Sequence, residues 1–239
     1  MRAIIDPHTH TIASGHYTTD TVTDLARVAS EKKLNILGIT DHSPVKHSGA
    51  SESYFRNLKY CEKKRFGVQI LYGVEVDVLN SSGQLALPMD ILNSLDLVIV
   101  SQHTNAFKPS TERENTTAFI SAIKSGRIDI VGHPDDVKYP LCIEELCKVC
   151  ADYGTMMEIN NASLSPDGYR GNSRPIDISI LELCEKYNVF VSMGSDSHGA
   201  KGVGDFSYAE SLIKEFNFPE KLVVNYSEQL FNTLLKQKR

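Results

Sequence analysis

The chain has 239 residues, 41% of them hydrophobic, and a formal charge of −5 at neutral pH. That length suits one domain spanning residues 1–239, because α/β barrels run to ~200–250 residues as single units. The mild acidity excludes a general nucleic-acid surface built from clustered Lys and Arg, but not a small anionic substrate drawn to a local cation.

No basic-then-apolar leader opens the sequence, and no apolar run approaches the ~18 residues of a membrane span. A soluble cytoplasmic protein with no membrane partner is the expectation. Five cysteines, an odd number, fit reduced thiols better than a disulfide framework.

Short apolar runs alternate with helical periodicity along the chain. The runs at 3–6, 36–40, 69–76, 97–101, 128–132, 155–159 and 189–193 are rich in Ile and Val without strict polar alternation. Parallel strands buried on both faces have this composition. Val22, Leu25, Ala26 and Ala29 form a helical stripe after Asp20 or Thr21 as cap. Tyr54, Phe55, Leu58 and Cys61 mark a second helix. Thr111 with Glu114 forms a capping box before Ala118, Phe119, Ala122 and Ile123, and Gly126 stands where a helix ends. Further helices are expected at 143–153, after Pro175, at 209–216, and at 228–236 with Ser227 as cap. Seven strands, each followed by a helix or helical turn, predict a parallel, barrel-like α/β domain.

Cys142, Cys147 and Cys150 match a C-x4-C-x2-C iron–sulfur spacing. The helical periodicity around them makes small hydrophobes of an amphipathic helix the preferred reading.

The histidines fall at the strand ends. His8 and His10 alternate beyond the first run, so both point to one side. His16 follows closely. His42, His103, His133 and His198 lie at or just past later strand ends, and Glu75 and Asp196 join them. His47 alone lies off this pattern and is expected at the surface, with a substrate contact as the alternative. Catalytic groups of barrels converge on the C-terminal face from several strands. Imidazole with carboxylate suits zinc, manganese or iron. Nine such donors exceed the three or four of one zinc site, so more than one ion is the economical reading.

With His8-Thr9-His10, His16, Thr40-Asp41-His42, Gly73-Val74-Glu75, His103, Gly132-His133-Pro134 and Ser195-Asp196-Ser197-His198 in this order, the sequence resembles the PHP family. That family is named for polymerase and histidinol phosphatase, and the resemblance is strongest to its YcdX-like phosphatase branch. It implies a distorted (β/α)7 barrel, similar to a TIM barrel, with a trinuclear metal centre at the C-terminal face of the strands. By position, His8, His10, Glu75 and Asp196 would hold a first ion. Glu75 would bridge to a second held by His103 and His133, and His16, His42 and His198 would hold a third. Zinc is the first expectation, with manganese or iron as alternatives. A homotrimer has precedent in the branch.

Two ions can acidify a bridging water and clamp a phosphate ester. The expected reaction is therefore hydrolysis of a small phosphorylated metabolite, with a metal-bridging hydroxide as nucleophile and Glu75 and Asp196 as the catalytic carboxylates. No protein nucleophile is needed, which leaves Ser101, Ser195 and the cysteines structural. Arg170 and Arg174, in a polar loop after the sixth strand, offer a bidentate phosphate fork. A plain solvated loop is the alternative. Lys138 is a weaker candidate. Asp41, Asp135 and Asp136 are expected to be solvated or to orient ligand imidazoles, Asp41 with the best claim. Asp77 points the same way as Glu75 but fits no ligand position.

The alternatives are histidinol-phosphate phosphatase and a non-catalytic metal-binding or regulatory module. Action on polynucleotides is disfavoured by the absence of a basic track.

Overall fold

In β5 (Val68–Asp77), Leu71, Gly73, Glu75 and Asp77 share one face, and Ile70, Tyr72, Val74 and Val76 the other. The second face packs under helices. The first turns from apolar to acidic along the strand, and that gradient recurs around the barrel. A computed structural model describes residues 1–45 and 49–237. His47 lies outside the described residues.

In chain order, β1 (Ile5–Asp6) is followed by β2 (Thr9–His10), α1 (Val22–Glu31), β3 (Ile36–Ile39), α2 (Glu52–Asn57) and β4 (Lys64–Arg65). After β5 come α3 (Met89–Leu92), β6 (Leu97–Ser101), α4 (Glu112–Ile123), β7 (Ile130–Val131) and α5 (Ile143–Tyr153). The remainder is β8 (Met156–Asn160), α6 (Arg174–Tyr187), β9 (Val191–Gly194), β10 (Ser197–His198), α7 (Ser207–Phe216) and α8 (Glu228–Lys236).

Seven parallel strands in the order β1-β3-β5-β6-β7-β8-β9 make a nearly closed barrel with helices between them. The seven expected strands are these seven. At the open seam the side chain of Asn225 serves as a strand partner. Its Nδ2 donates to the carbonyls of Ile5 in β1 (2.9 Å) and Met193 in β9 (2.7 Å), and its Oδ1 accepts from the Met193 N–H. At the C-terminal mouth the seam is bridged directly, because β2 and β10 pair in parallel with His10 opposite His198.

The interior is layered. Ile5, Ile36, Leu71, Leu97, Ile99, Ile130 and Met156 form an inner core plugged by Phe231, Leu234 and Leu235 of α8. Further along the same inward faces come Gly38, Gly73, Gly132 and Gly194, and then the polar groups. Gly194 is required, since a Cβ there would collide with the Glu158 carboxylate.

The helices begin and end as their caps dictate. Thr21 and Asp24 form a capping box for α1, Thr111 Oγ1 accepts from Glu114 N–H for α4, and left-handed Gly154 stops α5. The second helix differs from expectation. It starts at the Ser51 cap and tightens at Leu58–Tyr60 into a 3-10 turn. The Lys-Arg pair of β4 has no apolar signal, yet it forms a short antiparallel partner for β5.

All five cysteines are free thiols. Cys147 lies 3.9 Å from Cys184 between α5 and α6, and Cys150 contacts Met157 at 3.6 Å, so this cluster is core packing. No helix among the described residues is long and apolar enough to cross a membrane.

One buried ion pair holds the barrel wall. Arg127 bonds Asp129 (2.6 Å) and the carbonyls of Leu92 (3.0 Å) and Leu95 (2.7 Å). Removing one partner of such a pair strands the other charge, so Arg127→Met is expected to destabilise the fold by about 3–5 kcal/mol. Chemical denaturation would measure this, and a loss within experimental error would refute the buried-pair reading.

Candidate metal centre

Glu75 sits at the hub. Its Oε1 lies 2.7 Å from His133 Nε2 and 3.4 Å from His103 Nε2. Its Oε2 lies 2.8 Å from His42 Nδ1 and 3.5 Å from both His8 Nε2 and His10 Nε2. Asp196 Oδ1 approaches His10 Nε2 at 3.2 Å, His8 Nε2 at 3.7 Å and His198 Nδ1 at 3.8 Å. On the outer side, His198 Nε2 and His16 Nε2 stand 3.1 Å apart, and the His16 ring stacks on His42 at 4.9 Å. The strand ends and the loops just past them thus bring together all nine donors singled out in the sequence, with Glu75 at the centre of the other eight.

What holds these rings is a second layer of acceptors. Five imidazoles are engaged at Nδ1, which leaves Nε2 turned inward. His8 Nδ1 faces Glu158 Oε1 (2.7 Å), His10 faces Ser14 Oγ (3.1 Å), and His103 faces Asp77 Oδ1 (2.8 Å). His16 and His198 donate to the carbonyls of Ser14 (3.0 Å) and Asp196 (3.2 Å). Carbonyls and carboxylates only accept, so each such contact puts the proton on Nδ1 and the lone pair on Nε2.

Asp41 works one step further out. It accepts from Thr11, Ser14 and Tyr54, and the anchored Ser14 hydroxyl then meets His10. Asp77, fitting no ligand position, orients His103 instead.

Glu158 is the residue that sequence reasoning missed. Besides His8 it accepts from the backbone N–H of His133 (2.7 Å) and from Asn160 Nδ2 (3.0 Å). The signal was present: a carboxylate at the centre of a strand buried on both faces needs partners to be stable there.

Arg170 and Arg174 take other roles than a phosphate fork. Arg170 is buried, with Nη2 2.8 Å from Asp196 Oδ2 and Nη1 near Asn160 Oδ1 (3.3 Å) and Ser163 Oγ (3.2 Å). Its charge is spent on Asp196, leaving Oδ1 of that carboxylate aimed at the histidines. Arg174 opens α6 and pairs with Glu215 of α7 at 2.7 Å, facing solvent. Neither guanidinium lines the hollow over the histidines. Asp135 is buried beside Arg170 and His133, whereas Asp136 accepts the Lys138 N–H (2.9 Å) in a turn.

The electrostatics suit a cation. Burial works against ionisation of Glu75, yet His42, His103 and His8 hold it well below the usual carboxylate range. Burial likewise opposes ionisation of Asp196, which Arg170 and His8 hold well below that range. Burial depresses His10, His16 and His198, keeping their lone pairs free. His8 and His103 go the other way. Burial opposes their protonation, but the surrounding carboxylates outweigh it, raising His8 and carrying His103 to about 9. The carboxylates around these two rings thus favour positive charge at this depth.

The donor set therefore fits metal ions. His8 Nε2, His10 Nε2 and Glu75 Oε2 are buried outside any aligned hydrogen bond, although His42 and Asp196 stand close to two of them, and they converge. Ligand-distance triads recur at His8–His10–Glu75, His10–His42–His198 and His42–Glu75–His103. Across folded proteins most buried polar atoms are hydrogen-bonded. Two donors, His133 (φ 28°) and Asp196 (φ 52°), also sit on left-handed backbone, a conformation costing ~1–3 kcal/mol that concentrates at working sites.

The partly exposed donors open onto a hollow of about 580 Å³ walled by His16, His42, His103, Tyr17, Lys138 and Tyr169 among others.

Comparison with known proteins follows the same lines. The chain is 41% identical to a protein of Caldanaerobacter subterraneus subsp. tengcongensis named "Probable phosphatase", covering 100% of this chain and 93% of that one. It is 38% identical to a protein of the same name from Clostridium novyi, covering 100% and 96%. The fold matches a histidinol phosphate phosphatase of Lactococcus lactis, solved with zinc, L-histidinol and phosphate. That match has a TM-score of 0.66 over 92% of this chain and 95% of that one, at 18% identity. Residues 6–162 match the PHP domain, and with relatives similar along its whole length the chain belongs to the PHP domain family.

Proposed function

We propose that this chain is a metal-dependent phosphomonoesterase acting on a small phosphorylated molecule, and that residues 1–239 act as one domain. The observation that carries the reading is the gathering of eight further imidazole and carboxylate side chains about Glu75, five of the imidazoles within 3.5 Å of it, with His8 Nε2, His10 Nε2 and Glu75 Oε2 buried outside any aligned hydrogen bond. Three divalent ions are assigned: one to His8, His10, Glu75 and Asp196, one to Glu75, His103 and His133, and one to His16, His42 and His198. Zinc is the first choice, supported by the zinc in the Lactococcus lactis structure and the imidazole-rich donor set. Such ions supply positive charge to phosphoryl oxygens and acidify water.

The chain's own residues supply the rest. Glu158, Ser14 and Asp77 lock the tautomers of His8, His10 and His103, so the reacting site is formed before substrate arrives. Arg170 fixes Asp196. Ser195 donates to the His8 carbonyl (3.3 Å) and accepts from Ser197 N–H (3.2 Å), which fits a structural serine rather than a nucleophile. The relatives' names support phosphatase activity. Free thiols support a reducing compartment, and the cytoplasm is the proposed location.

Purified protein should carry roughly two to three transition-metal equivalents and release phosphate from a generic aryl phosphate. Chelation should stop the release and metal should restore it. Metal-loaded protein that releases no phosphate from a broad panel of phosphoesters would refute the reading.

A further inference from the structure

The hollow over the histidines is larger than a phosphoryl group requires, since pockets of ~300–1,000 Å³ take up whole small molecules. Among the described residues lining it, Lys138 is the one lysine or arginine. It forms no ion pair among them. Its Nζ stands 5.4 Å from the centre of the Tyr169 ring and 3.4 Å from the Tyr169 carbonyl, so ring and carbonyl steer it while its charge stays free.

Tyr169 is itself fixed from beneath, with the buried Arg170 guanidinium 4.6 Å from its ring centre. Two carboxylates on the same wall are already paired, Asp77 with His103 and Asp196 with Arg170, and Asp136 accepts the Lys138 N–H without forming an ion pair to its ammonium.

Depth separates Lys138 from the donors. Glu75, His8 and His10 are wholly buried, whereas Lys138 and Tyr169 are exposed at the rim. A phosphoryl group seated at the donors would leave the remainder of its molecule lying toward Lys138.

Resting on the phosphatase reading, we infer that Lys138, held on Tyr169, is a specificity residue that binds a second anionic group of the substrate. The substrate class is a phosphomonoester carrying a carboxylate or a further phosphoryl group at its far end. Among the described residues the ammonium meets only Tyr169 and no carboxylate, and the rim position sets the reach.

Calorimetry on the zinc-loaded full chain tests this, using methylphosphonate, ω-carboxyalkylphosphonates of increasing length and the matching alkanediphosphonates. Wild type should bind the best two-charge ligand roughly fivefold tighter than methylphosphonate, the scale of a rim ion pair. That preference should shrink as salt is raised. Lys138→Ala should lose the preference and Lys138→Arg should keep it. A stronger carboxylate series would indicate a phospho-acid, and a stronger diphosphonate series a bisphosphate.

Equal affinity for one-charge and two-charge ligands, a preference that survives in Lys138→Ala, or no binding of any phosphonate would overturn the inference. A Lys138-dependent preference in a protein that hydrolyses no ester would instead refute the phosphatase reading and leave this binding site standing.

Discussion

Glu75→Gln is expected to lower phosphate release by about 10³-fold or more, equivalent to ~4 kcal/mol of transition-state stabilisation. The amide keeps the side chain's size but loses its charge and one of its two acceptor oxygens. Five imidazoles approach this one carboxylate, at 2.7–3.5 Å. The loss should therefore show in metal content as well, as a deficit at the two positions assigned to share Glu75. The His16–His42–His198 position should suffer less. Circular dichroism should stay native, because the apolar layer beneath Glu75 does not depend on the charge. Near-normal turnover with full metal content would refute the role of Glu75 as the shared ligand.

The second large effect is expected at a residue that touches no ion. Glu158 accepts three hydrogen bonds with two oxygens: His8 Nδ1 on Oε1, His133 N–H and Asn160 Nδ2 on Oε2. Glutamine would turn a donor toward one of those donors. A buried donor or acceptor left unpaired carries its full desolvation penalty. Orienting carboxylates behind metal-bound histidines typically contribute 10–100-fold in metal affinity. Glu158→Gln should fall in that range, measured by competition with a chelator, and Glu158→Ala further, with a loss of fold stability of several kcal/mol. Metal affinity within twofold of wild type in both variants would refute the orienting role.

These two residues also show what can be read from a sequence of this kind. Glu75 announces itself because it comes near the end of a long Ile/Val-rich strand in a chain whose histidines, His47 apart, fall at or just past strand ends. Parallel strands buried on both faces write themselves as unbroken apolar runs, so Leu97–Ser101 and its neighbours are legible without tertiary knowledge. Glu158 lies in such a run too, but its importance depends on which side chains the barrel brings opposite it. Arg170 is less legible still. A guanidinium in a polar loop turns toward solvent or inward according to what stands behind it, and here that is Asp196, 26 positions later. The short β4 pair and the 3-10 turn after α2 are likewise tertiary in origin, set by hairpin geometry rather than by any apolar period.

The pairing of β2 with β10 has a consequence for how the molecule comes into being. His16 and His198 are 182 positions apart, yet they stand side by side at the seam. A chain emerging from the ribosome can pair β3, β5 and β6 early, since those contacts are local by comparison. The ion-binding cage is still incomplete at that stage, for Asp196 and His198 have not been synthesised. Closing so long a loop is the costly late event of folding. Under the proposed assignment, cation capture waits for the last strands, and a nascent chain holds an unfinished cage until they arrive.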